Sequence, residues 1–306
     1  MASYNRYTGS GATAVYRDIV DDLFYITQNE TPIMDMAKNV EAKDQKHEWT
    51  EVLYAAVTQN NYKRADGADL TSTYTPPAKT VFENYVEESA IPFDVSKRSA
   101  AIGKRGGYAG PNDQWAKAKT EAMVVLKDNV EWAILNGTKA SGDSSNPSQM
   151  DGLLTLAEDK GTASHTATVA SGEADFRALL QTMRGNGGMR GRKKMLFTSY
   201  PNRDLIGANW KGNATETNTM SKEAKIYADV KVYVSPHGPI MVEGHDMCAD
   251  TDLVIFDAED LNLAWLYNTT TIELGRTGLQ ENVAAVANAV TLEYTKPSTL
   301  GYLEIS

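Results

Sequence analysis

Residues 112–136 read NDQWAKAKTEAMVVLKDNVEWAILN. Gly110-Pro111-Asn112 supplies a breaker and a cap before this stretch, and Gly137 a stop after it. The pattern predicts one uninterrupted helix of about 25 residues, roughly 37 Å long. Trp115, Ala118, Ala122, Val125, Leu126, Asn129, Trp132 and Ala133 line one face, and Met123, Val130 and Ile134 line another. A helix of that length with two apolar sides must carry material on both. The rest of the 306-residue chain has to be built around this spine.

Upstream, residues 1–12 are small and polar and read as a flexible arm. Thr13 then caps an amphipathic helix carrying Val15, Ile19, Leu23 and Ile26, which Thr31-Pro32 ends. Lys46–Val57 and Lys79–Val95 are rich in aromatic and β-branched residues and read as two strands of one long hairpin. Arms of about 12–17 residues would reach roughly 40–55 Å. A compact body of this length has a radius near ~25 Å, so the hairpin is expected to project. The residues joining its arms, NYKRADGADLTSTYTPPAKT (61–80), are almost entirely polar. An isolated hairpin is marginal in water, so this one is expected to rest on a neighbouring molecule.

Downstream the pattern turns to mixed helix and strand. Lys139–Gln149 reads as a loop leaving the spine, Glu173–Arg184 as a helix, and GNGGMRGRKK (185–194) as a basic loop. Met195–Thr198 reads as a buried strand. Ala224–Ser235 alternates, with Ile226, Ala228, Val230, Val232 and Val234 on one face and Lys225, Tyr227, Asp229, Lys231 and Tyr233 on the other. Short strands are expected at 252–257, 261–267 and 270–274, a long one over Val283–Thr295, and a last one over Leu300–Ile305.

Chemistry is hard to find. The Gly-rich loop follows a helix and precedes a strand, and no Ser or Thr follows its lysines, so a P-loop does not fit. His237, His245, Cys248 and Asp250 have ligand chemistry, but the His-x7-His-x2-Cys spacing fits no structural zinc site, and a hairpin turn at His237-Gly238-Pro239 accounts for them. There is no Gly-x-Ser-x-Gly elbow. Asp257, Glu259 and Asp260 read as a turn between strands. No catalytic residue, cofactor or metal is expected. The net charge of −10 argues against a nucleic-acid-wrapping role. The apolar runs are far shorter than a membrane span, no secretory signal is visible, and the single Cys248 suits a reducing compartment.

The order of parts, together with ETPIMDMAKNVEAKDQKHEWTEVLYAA (30–56), IPFDVSKRSA (91–100), NDQWAKAKTEAMVVLKDNVEWAILNG (112–137) and MDGLLTLA (150–157), resembles the major capsid proteins of tailed bacteriophages. Glu131 stands where those proteins carry an acidic residue ahead of the Asn-Gly exit. The resemblance implies an α+β fold of the Hong-Kong-97 type. Residues 1–43 would be the N-terminal arm and its helix, and 44–97 the extended β-hairpin loop. The peripheral domain with its spine helix would be 98–150 plus 275–306, and the α/β axial domain 151–274. It implies a homo-oligomer of pentamers and hexamers that closes a virion shell around double-stranded DNA without sequence-specific binding. Portal and possible scaffolding or decoration proteins would be its partners, and the host cytoplasm its site of assembly. The branch it resembles lacks a long scaffolding segment, so scaffolding is expected from a separate protein or from none. Subunit contacts are expected at Tyr62, Lys63, Arg64, Asp66, Asp69, Tyr74 and Lys79 around the hairpin tip. The basic loop would add Arg184, Arg190, Arg192, Lys193 and Lys194. Gly103, Gly106 and Gly107 would be hinges where the hairpin joins the body. An encapsulin-like shell, another phage structural protein, or an enzyme with a lid at 58–80 are the competing readings.

Overall fold

The computed structural model describes residues 31–54, 66–67, 76–98, 111–167, 172–191, 193–210, 232–275, 278 and 280–305. The expected helix after Thr13, the hinge glycines and residues 224–231 of the alternating run 224–235 lie outside them. Numbered along the described residues, the first elements are α1 (Pro32–Met36), β1 (Lys38–Glu41), β2 (Lys46–Leu53), β3 (Ala78–Tyr85) and β4 (Glu87–Ser96). Next come α2 (Pro111–Asn136), β5 (Ala140–Ser141), β6 (Ser148–Gln149), α3 (Leu153–Lys160), β7 (Thr162–Ala167) and α4 (Gly172–Gly185). The chain continues through β8 (Lys194–Thr198), α5 (Tyr200–Asn209), β9 (Val232–Ser235), β10 (Gly238–Gly244) and β11 (Asp252–Asp257). It ends with β12 (Leu261–Glu273), β13 (Gln280–Tyr294) and β14 (Gly301–Ile305).

Two sheets carry the structure. One has the order β1-β12-β13-β4, the other β7-β14-β11-β8-β10-β9. The spine helix α2 packs on the first through Ala122 and Leu126 against Phe93, Ala284 and Val286. Its C-terminal half enters a second core through Val130, Ala133, Ile134 and Leu135, joined there by α3, Phe197, Phe256 and Tyr294. On the far side of the six-stranded sheet, α4 and α5 bury Phe176, Leu180, Ile206 and Trp210 against Tyr233, Ile240 and Val242. The segment after 275 divides between the sheets: β13 lies in the four-stranded one, and β14 lies between β7 and β11 in the other.

The spine leaves through Gly137, whose N–H donates to Ala133 O (2.9 Å) and whose O accepts from Gly152 N (2.8 Å). A Cβ on Gly137 would stand 2.4 Å from Ala133 O and 2.5 Å from Met150 O, so only glycine fits between these backbones.

Pro32 opens the short helix α1, where a proline costs no hydrogen bond because it stands in the first turn. Several expectations need correction. The second hairpin arm is not one strand. Val86 is buried against Ala42, Ala264 and Ala289, and its N–H goes to Gln45 O (2.8 Å), which breaks the arm into β3 and β4. β4 then pairs antiparallel with β13. The hairpin proper is therefore β2 and β3, eight residues each, or roughly 26 Å. On the spine, Val125 and Trp132 face outward, Trp132 at 54% exposure. The buried row follows 122, 126, 130, 133 and 134 instead. The expected strands 261–267 and 270–274 are one strand, β12, with irregularities around Tyr267. In β9 the structure decides which of the two expected faces is inner: Tyr233 is buried, while Val232 and Val234 face outward. Tyr233 wins the inner side because its ring packs edge-on to Phe176 at 5.2 Å, an aromatic contact that neither valine can offer.

Candidate assembly surfaces

The hairpin has two unlike faces. In β2, His47, Trp49 and Glu51 are half-buried and alternate with exposed Glu48, Thr50 and Val52. The inner row rests on the body: His47 Nε2 lies 2.7 Å from Glu293 Oε2, and Glu51 holds Ser298. Trp49 stacks on Phe82 across the strands, with centroids 6.2 Å apart. The bond to His47 is the main reason that the Glu293 carboxyl titrates below its ordinary range. The outer row carries Val52 and Val81, and Leu53 and Tyr54 continue exposed towards the tip. Among the described residues the hairpin forms a two-stranded sheet of its own.

Its root is polar. Asn84, buried, donates through Nδ2 to Asp151 O (3.2 Å) and Leu292 O (2.9 Å). Its Oδ1 accepts from Asp151 N (2.7 Å) and Tyr85 N (2.9 Å). One side chain thus ties the hairpin to β13 and to the turn before α3. Beside it Glu83 binds Lys139 (2.8 Å) and Lys46 (2.5 Å). Lys139, then Lys46, pull the Glu83 carboxyl down to about 2. Glu48, then Glu83, raise the Lys46 ammonium further still. Asp151 is the odd member: burial, then Asp159, pushes its carboxyl up to about 6, and its Oδ1 has no partner.

A second junction sits on the spine. Glu131 is fully buried, yet its carboxylate accepts from Ile33 N (2.8 Å) and Met34 N (2.9 Å). These are first-turn donors of α1, which Thr31 does not cap with its side chain. His245 completes the site. Its Nδ1 accepts from Met247 N (3.1 Å), so the ring proton sits on Nε2 and is donated to Glu131 Oε1 (3.1 Å). One carboxylate therefore joins the N-terminal segment, the spine and the 245–248 turn.

The contact residues expected from sequence are scattered. Asp66 and Lys79 are exposed, Lys79 on β3. Tyr62, Lys63, Arg64, Asp69, Tyr74 and Arg192 lie outside the described residues. Arg184 ends α4 and donates to Met189 O (3.2 Å). Arg190 and Lys193 are exposed. Lys194 begins β8, is buried, and donates to His237 O (2.7 Å). Arg190 and Lys194 line a small cleft with Asp257, Glu259 and Asp260, where burial raises the Asp257 carboxyl. His237 lies at the β9–β10 turn, His245 is spent on Glu131, and the Cys248 thiol contacts Asp252 O (3.4 Å), burial pushing it up to about 12. Among the described residues no three ligand-type side chains are placed to hold a metal, and no helix is long and apolar enough to cross a membrane. Nothing in the sequence marks Asn84, which stands between Glu83 and Tyr85, and the one signal of Asp151 is its charge just ahead of the apolar stretch 153–157.

A sequence model of the SU10 major capsid protein family matches residues 4–305. The chain belongs to that family. A search of curated proteins finds no significant match. Among solved structures, the capsid asymmetric unit of cyanophage A-1(L) is similar at TM-score 0.66 and 15% identity, over 94% of this chain and 96% of that one. The capsid of a native GTA particle is similar at TM-score 0.67 and 10% identity, over the whole of both chains. The capsid of Myoviridae phage XM1 is similar at TM-score 0.60 and 8% identity, over 95% and 97%. The fold is thus of the Hong-Kong-97 type, and the SU10-family subunit is a structural protein of a phage head shell, not an enzyme. It forms shell-building oligomers and is a virion component. The spine of this major capsid protein is α2, and its two-faced hairpin is β2–β3.

Proposed function

We propose that the subunit forms pentamers and hexamers that close a head around double-stranded DNA, each copy laying its hairpin on the next. The observation that supports this most is the hairpin itself. Its inner face is held by its own body through His47 and Glu51, whereas Val52, Leu53, Tyr54 and Val81 meet no cover. A neighbour's body is the natural cover, with Tyr62, Lys63, Arg64, Asp66, Asp69, Tyr74 and Lys79 forming a wet rim around it. Individually weak contacts act together once a shell closes. The basic loop with Arg184, Arg190, Arg192, Lys193 and Lys194 would add charge contacts near capsomer axes. The head would be sealed at a portal, with scaffolding or decoration proteins as further partners and assembly in the host cytoplasm. An inner surface rich in the chain's excess acid would let DNA slide rather than adhere.

The test is the chain expressed alone, with and without residues 58–80, followed by sizing and electron microscopy. Shells or rings from the full chain that vanish on deletion are the expected result. Identical assemblies from both chains would refute the role of the hairpin.

A further inference from the structure

The hairpin root buries an ionisable group that the fold only half satisfies. Asn84 binds residue 151 through both sides of its backbone, Oδ1 accepting from Asp151 N (2.7 Å) and Nδ2 donating to Asp151 O (3.2 Å). The same Asn84 ties in β13 through Leu292 O and its own strand through Tyr85 N. The position of residue 151 therefore sets the direction in which the arm leaves the body. Its side chain is 6% exposed, with Oδ1 unpartnered. A buried carboxyl of this kind is tolerated as the acid and costly as the anion.

Charged groups surround it from each element of the root. On α3, Asp159 opposes ionisation and Lys160 favours it; at the exit of the spine, Lys139 favours it through its charge and its backbone N–H. The Lys139 ammonium is already committed, donating to Glu83 O (3.2 Å) and Oε1 (2.8 Å) on β3. Lys46 of β2 holds the other oxygen of Glu83 (2.5 Å). Glu87 of β4 accepts from Met150 N (3.2 Å). Burial outweighs all of these and raises the Asp151 carboxyl to about 6. The anion needs water, and reaches it when residue 151 swings out, which takes its N–H and C=O away from Asn84.

We propose that Asp151 is a proton-operated catch for the hairpin: the protonated side chain lets residue 151 stay seated on Asn84, and ionisation drives it out, which releases Asn84 and frees the arm at its root. The catch belongs to the single subunit and works whichever way copies assemble. Its sign follows from linkage. The seated residue keeps its proton up to about pH 6, whereas a released, solvated one loses it near the ordinary 3.8. Acid therefore favours the seated form. The ratio of released to seated roots is level below the lower value, climbs as pH rises between the two, and is level again above the upper one, about a hundredfold higher in all.

The experiment is hydrogen exchange of the full chain between pH 4 and 8, corrected for intrinsic rates. It is read at the two amides that donate to Asn84 Oδ1, those of Tyr85 and Asp151. Their protection is expected to fall about fiftyfold over this range, and to stay below that of Leu253 and Leu303, paired within the six-stranded sheet. Asp151→Asn is expected to abolish the fall, and Glu87→Gln to leave it. Should Asp151→Asn fail to fold, Asp159→Asn, at an exposed position, replaces it, and the fall should then be smaller and end at lower pH. Protection that is flat with pH in the wild-type chain would overturn the catch. So would a fall that survives Asp151→Asn, one that is unchanged in Asp159→Asn, or one that disappears in Glu87→Gln. Root amides as protected as Leu253 and Leu303 at every pH would also overturn it, since residue 151 would then be released only by unfolding.

Discussion

Asp151 is expected to weaken the fold at neutral pH, and Asp151→Asn to strengthen it. The side chain is 6% exposed, and one of its oxygens has no partner. Its nearest charges are mixed: Asp159 opposes ionisation, while Lys139 and Lys160 favour it. Burial dominates and raises the carboxyl from 3.8 to about 6. An acid whose folded value lies above its unfolded value holds its proton more tightly when folded. Below the unfolded value both states are protonated and the group costs nothing. The cost grows as pH rises between the two values and is complete above the folded one. At about 1.4 kcal/mol per pH unit, the full cost is about 3 kcal/mol. Asn keeps the shape and removes the charge. For a domain of this size the gain should appear as roughly 5–10 °C in melting temperature at pH 7.5. It should shrink to about 1–2 °C at pH 4, just above the unfolded value. The measurement is a melting series of unassembled wild-type and Asp151→Asn chains from pH 4 to 8. A gap that does not change with pH, or a variant less stable at pH 7.5, would refute the reasoning.

Two further outcomes follow from the junctions. Glu131→Ala strands the N–H groups of Ile33 and Met34 and the Nε2–H of His245 inside the core. Leaving a buried donor unsatisfied costs about 1–3 kcal/mol, so the three together should cost at least about 3 kcal/mol, and urea titration with amide exchange of residues 33–36 would register it. Gly137→Ala drives a methyl into two carbonyl oxygens, neither at the end of a flexible side chain. It should leave the chain insoluble at 37 °C, whereas Gly185→Ala, with open space around its Cβ, should not, and soluble yield compares the two.

The parts of this fold that could be read from sequence are those whose signals are local. The spine ends within one residue of its predicted bounds because Pro111 and Gly137 punctuate it. The buried strand at Met195–Thr198 and the helix around Phe176 have a period that one core satisfies. What escaped depends on distant partners. Nothing between Tyr85 and Glu87 marks a break; Val86 breaks the strand because Gln45, Ala264 and Ala289 meet it there. Alternation divided β9 into two faces but could not say which was inner, since Phe176 and Trp210 decided for Tyr233. The partners of Asn84 and Glu131 lie up to 208 and 114 residues away, beyond any window of periodicity. The charge of Glu131 among apolar neighbours was visible, but not the donors that would hold it.

The distribution of these contacts has a mechanical reading. Apolar packing at a hinge lets surfaces slide, whereas a side chain with four hydrogen-bond partners fixes direction. Asn84 makes four such bonds at the hairpin root, flanked by the Lys139–Glu83–Lys46 cluster and the His47–Glu293 pair. A tilt of about 10° at the root would displace the far end of a 26 Å arm by roughly 4–5 Å, a full strand spacing. Contacts with a neighbour would then slip by a whole strand. The polar root therefore serves geometry more than stability: it aims the arm. The uncovered residues, Leu53 and Tyr54, lie at the end away from that root. A shell-forming subunit gains from this division, with a stiff base setting direction and an uncommitted end left to meet a neighbouring copy.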